Sequence, residues 1–209
     1  SPYQVGSFLS LFFVRMVASV VEPVSCYSHP NGMASLTAYP EVFCGSSAQR
    51  ELLIHAAVPL VIVIAFYVAV CYISWVAPHW SAMERTDALR AASFCLTEAR
   101  PDVWWWSVVH LLRLAAVSVS GAVSPDNPHL QTTYVVSILG CFVALQIRVW
   151  PWRVPLLNVT EAFFNLMLML TMLFGTSFME TSSIDESFEA LLVVQFVVLA
   201  ICCAVLAIV

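Results

Sequence analysis

The chain has 209 residues, of which 61% are hydrophobic and 10% charged, whereas soluble domains average about 45–50% apolar and about 25% charged residues. That balance excludes an ordinary water-soluble enzyme domain, because the longest polar stretches, 22–51 and 78–102, fall below the usual domain size. A net charge of −5, with eight basic residues that are all Arg and scattered along the chain, leaves no basic patch for a nucleic acid.

Crossing a hydrocarbon core of ~30 Å takes about twenty apolar residues per helix. Six runs of that kind lie at 5–24, 52–77, 103–123, 132–150, 156–178 and 190–209. They predict an all-α fold: one polytopic transmembrane bundle of six helices over 1–209, joined by short loops, with the lipid bilayer as its partner. The first run carries Arg15 in its middle and is followed by no Ala-x-Ala site, which favours a membrane segment over a cleaved signal peptide. Arg15, Ser19 and Glu22 share one helical face at i, i+4 and i+7, where the two charges are expected to reach each other only through intermediates. A start at Ser1-Pro2 without Met, and an end within an apolar run, lead us to expect a piece of a larger protein.

In the first loop stand Cys26, His29 and Cys44. A Cys26–Cys44 disulfide is favoured over a metal site, since the three residues lack a compact zinc-type spacing and a fourth ligand. The loop after the second run holds Arg85, Arg90 and Arg100, and the loop after the fourth holds Arg148 and Arg153. Arginines collect on the cytoplasmic side, so both termini are expected there and the first loop in the oxidising extracytoplasmic space, at the plasma membrane or along the secretory pathway. Cys71, Cys141, Cys202 and Cys203 fall inside apolar runs, where free Cys acts as a small hydrophobe.

Segment 81–96 places Ala82, Leu89, Ala92, Phe94 and Leu96 among charges, a pattern that suits a short amphipathic helix on the inner membrane surface. Trp75 and Trp80, Trp104-Trp105-Trp106, and Trp150-Pro151-Trp152 mark headgroup level at the helix ends. The third run puts Ser107, His110, Arg113 and Ser120 on one face, and Gln146 lies near the inner end of the fourth. On the fifth, Asn158, Glu161 and Asn165 fall at i, i+3 and i+7, continued by Met169, Met172 and Thr176. His110 and Glu161 each stand about 10 Å into their helices at 1.5 Å per residue. A cluster of His110, Arg113, Gln146, Glu161 and Asn165 is therefore expected, either as an interhelical lock or as an ion or proton path. Asn158-Val159-Thr160 is a glycosylation sequon at the inner end of its helix and is expected to be unmodified. The fifth loop is acidic, with Glu180, Asp185, Glu186 and Glu189.

No phosphate-binding loop, nucleophile elbow, zincin pair or Cys-x-x-C pair occurs, so neither an enzyme nor a cofactor is expected. The order Arg100-Pro101-Asp102, Trp104-Trp105-Trp106, Arg113, Gln131, Trp150-Pro151-Trp152-Arg153, Asn158 and Glu161 resembles the membrane region of TRP-like proteins. More closely, Cys26 to Asn31 and Tyr39 to Gly45 are similar to the first loop in the TRP-like multi-pass region of large protist surface proteins. The resemblance covers about 22–161 and implies a six-helix unit that is either a cation channel or sensor subunit, or a passive anchor and interaction module for large extracellular domains. A channel reading predicts an oligomer, with the acidic loop concentrating cations. Against it, only a short stretch that includes 181–189 lies between the fifth and sixth runs, and it contains no Gly-bearing filter. A secondary transporter is a third reading, for which no inverted repeat or broken helix pair is evident.

Overall fold

The computed structural model describes residues 2–84, 86–92 and 99–176. It divides into two compact units, one through Asp126 and one from Asn127 onward. The acidic residues Glu180, Asp185, Glu186 and Glu189, and the sixth apolar run, lie outside the described residues.

In the first unit, helix α1 (Pro2–Val21) leads into a turn at Pro23, a residue that cannot continue the hydrogen-bond ladder. The next segment forms an antiparallel hairpin of β1 (Cys26–Ser28) and β2 (Ala34–Leu36), with Cys26 opposite Leu36 and Ser28 opposite Ala34. Gly32 turns this hairpin at φ 79°, a conformation that costs glycine nothing. Cys26 and Cys44 are joined by a disulfide. The long helix α2 (Ser47–Ala82) then starts at a capping arrangement: Ser46 Oγ accepts from Gln49 N, and Gln49 Oε1 accepts from Gly45 N. It ends where Glu84 adopts a left-handed conformation. A short helix α3 (Thr86–Ala91) follows, and then α4 (Trp106–Ser118) with a 3₁₀ turn at Ser120–Ala122.

The core of this unit joins three helices: Phe13 and Val17 of α1, Val70 of α2 and Leu111 of α4 are buried together, with Phe66, Tyr67 and Leu114 packed around them. A smaller cluster sets Ala77 of α2 against Ala92 beyond α3, flanked by Trp80, Leu89 and Trp104. The second unit is a helical hairpin of α5 (Pro128–Val149) and α6 (Pro155–Thr176). Asn127 caps α5 by accepting from Leu130 N, and Pro128 occupies the first turn, where its missing N–H is no loss.

The described chain is thus mostly helical, and three of its helices, Ser47–Ala82, Pro128–Val149 and Pro155–Gly175, are long and apolar enough to cross a membrane. The first run is represented by α1, Pro2–Val21, and the third by a shorter apolar helical stretch, Trp106–Ala122. Two expectations are revised. The second run extends at both ends into a 36-residue helix, because neither Pro59 nor Pro78 stops it and the capped start lies five residues before the apolar run. The polar stretch 22–51 carries a disulfide-clipped β-hairpin rather than a plain loop. The surface of α2 is apolar nearly all round, with Val61 65% and Trp75 85% exposed, a distribution that suits contact with lipid and would be costly in water.

Candidate functional site

The polar cluster of the second unit forms where α5 turns into α6. Trp150 closes α5 in a left-handed conformation, its N–H donating to Gln146 O at 2.8 Å. A bulky residue rarely adopts that conformation. Two fixed-φ residues, Pro151 and Pro155, then bracket the turn; Pro151 is fully buried and Pro155 opens α6. Asn158, 4% exposed, locks the turn from inside. Its Oδ1 accepts from Trp152 N at 3.1 Å, and its Nδ2 donates to Trp152 O at 3.0 Å.

Gln146 is completely buried and bridges the two helices. Its Nε2 donates to the main-chain oxygen of Asn158 at 3.2 Å and to Glu161 Oε2 at 3.1 Å. The indole N–H of Trp152 donates to the same Glu161 oxygen. One turn on, Asn165 Nδ2 donates to Glu161 O at 2.9 Å, and Asn158, Asn165 and Met169 form the buried polar-to-apolar face of α6. The result is a carboxylate held by two N–H donors beneath a tryptophan-proline turn, which fixes the register of the hairpin.

Of the five residues expected to cluster, Gln146, Glu161 and Asn165 are brought together in this hairpin. His110 and Arg113 stand on α4 of the first unit, both half-buried. Trp152 was expected to serve as an interfacial anchor; its role as a donor to Glu161 has no periodic signature and follows from the left-handed turn two residues earlier.

The first unit revises other expectations. Arg15 and Glu22 pair directly at 2.8 Å, because two long side chains reaching toward each other cover two turns of helix. The disulfide consumes both sulfurs of the alternative Cys26, His29 and Cys44 metal set, and His29 Nε2 lies 2.7 Å from Ser35 Oγ. The hairpin is also tied to the far end of the unit: Asp126 accepts from Ser28 N and Ser28 Oγ, each at 2.9 Å, and Ser25 Oγ donates to Gly121 O at 3.1 Å. Spacing gives no sign of these links, which span nearly a hundred residues. Ahead of α4, Arg100 Nε donates to Asp102 Oδ1 at 3.1 Å, and Arg100 Nη2 to Asp102 Oδ2. This hydrogen bonding from Arg100 holds the Asp102 carboxyl below the usual carboxylate range.

No protein-family model, curated protein or solved structure matches this chain.

Proposed function

We propose that this chain is a polytopic, TRP-like membrane region that acts as an anchor and interaction module, holding extracytoplasmic modules at the bilayer. One observation carries the reading: the donors of Gln146, Trp152 and Asn158 are spent within the α5–α6 hairpin, on Glu161 and on the turn itself. Groups so engaged stabilise helix geometry, as interhelical polar contacts do in membranes. A conducting pathway would instead present them to passing ions. The three long apolar helices supply the membrane-embedded part. The six-span reading adds the apolar runs of the sequence at 5–24, 103–123 and 190–209 as further crossings, with both termini cytoplasmic and the clipped hairpin outside.

The test is cation flux through liposomes containing the full chain, comparing the unaltered protein with Glu161→Gln and Arg113→Gln. The expected result is no flux under applied voltage or a calcium gradient in any of the three. Flux through the unaltered protein that Glu161→Gln abolishes without unfolding would overturn the anchor reading and install the channel or sensor reading in its place.

A further inference from the structure

Between α2 and the segment entering α4, the first unit holds an open cleft of about 570 Å³, within the roughly 300–1,000 Å³ span of small-molecule sites. Its lining has an unusual chemistry: three indoles, Trp75, Trp104 and Trp105, line it together with one carboxylate, that of Asp102. Indole faces attract cations through the ring quadrupole, and aromatic walls beside a carboxylate are the chemistry that recognises a quaternary ammonium group.

Asp102 is already paired with Arg100, but both side chains are about half exposed, and ion pairs in that setting are held weakly enough to exchange partners. A ligand carrying its own adjacent positive and negative charges would match this pair charge for charge. A third feature lies in the wall of the same cleft. Ser74 is 6% exposed, and its hydroxyl has no hydrogen-bond partner among the described residues, so an oxygen-bearing ligand would supply what the protein does not. The cleft opens beside Pro78, at the end of the apolar part of α2 where tryptophans gather at headgroup level.

We propose that this cleft binds the headgroup of a choline phospholipid. The trimethylammonium group sits against the indoles and Asp102, the phosphate pairs with Arg100, the Ser74 hydroxyl donates to an ester oxygen, and the acyl chains follow the apolar surface of α2. The proposal rests on the membrane setting above but is independent of whether the chain anchors or conducts.

Binding is measured by calorimetry on the full chain in a maltoside detergent, titrated with dihexanoylphosphatidylcholine below its micellar concentration. Saturable binding is expected, with affinity falling about twofold to fivefold or more in Asp102→Asn and in Trp75→Leu, the loss that an exposed cation–indole contact or its counter-charge carries. Dihexanoylphosphatidylglycerol, which lacks the ammonium group, is expected to bind comparably weakly. Trp75 is 85% exposed, so its replacement tests the site even where Asp102→Asn disturbs folding. The proposal is overturned by absence of saturable binding, by equal affinity for the two lipids, or by unchanged affinity in variants of normal helicity. Competition by free phosphocholine as strong as that of the lipid would overturn the assignment to a membrane lipid. Because the readout is binding in detergent, its failure is separate from the outcome of the flux measurement.

Discussion

Gln146 shows how much of the second unit hangs on a single amide. Replacing it with Leu keeps the volume but strips one donor from Glu161 and one from the Asn158 carbonyl, in a region closed to water. Thermal unfolding in detergent is expected to register a loss of about 1–3 kcal/mol. Trp152→Phe, which deletes the indole donor together with the pyrrole part of the ring, should fall within that range. Asp102 permits a statement about pH. Its folded-state pKa is depressed by Arg100, so its contribution to stability is present above the ordinary carboxylate value of ~3.9 and is lost as pH falls through the lower folded value. Titrating from pH 7 to 5 should therefore leave the Arg100–Asp102 pair intact, which the Asp102 carboxyl carbon resonance would report. The Gln146–Glu161 contact was legible in the sequence because both residues flank a short, proline-rich turn between two apolar runs, which forces the helix ends together. The Trp152 contact was not, because a left-handed backbone at Trp150 decides where that indole points.

Among the elements, α2 and the hairpin before it depart most from the sequence reading. At 1.5 Å per residue its 36 residues extend about 54 Å, well beyond a hydrocarbon core of ~30 Å. A membrane accommodates the excess by tilt or by letting the ends emerge. A cysteine introduced at Ser81 should then react with a charged maleimide. One at Val61, exposed on the protein surface, should stay unreactive because lipid covers it. The hairpin was invisible in the sequence because each strand has only three residues, too few to show alternation, and its position is set by bonds to distant Asp126 and Gly121. What the sequence did offer was the cysteine pair. Closing a loop of this size is worth about 3 kcal/mol. Reduction should accordingly speed hydrogen exchange at the Leu36 and Cys44 amides, which bond across the clipped segment, while the exchange of α5 and α6 stays unchanged.

For the molecule as a whole, composition and run length carried the helical, strongly apolar character, and three helices meet the length and apolarity that crossing a membrane requires. Run length was a poorer guide to where helices stop. The third run is apolar from Val103 to Val123 apart from its polar face, yet its regular α-helix covers only Trp106–Ser118. Backbone preferences at the entry and the 3₁₀ turn shorten it, and a hydropathy window averages over such changes. The five residues expected to cluster are shared between the units, with Gln146, Glu161 and Asn165 in the second and His110 and Arg113 in the first.

The bonds from Ser28 to Asp126 constrain the path of everything between them. Two residues that touch through a carboxylate must sit on the same side of a bilayer, so the intervening chain has to cross it an even number of times. If α2 is one crossing, a second must occur before Asp126. With α2 as one crossing, the helical stretch Trp106–Ala122 is the apolar helix among the described residues that would be available for the return. Wherever the first unit crosses a membrane, this pair of hydrogen bonds limits the chain between Ser28 and Asp126 to an even number of passages.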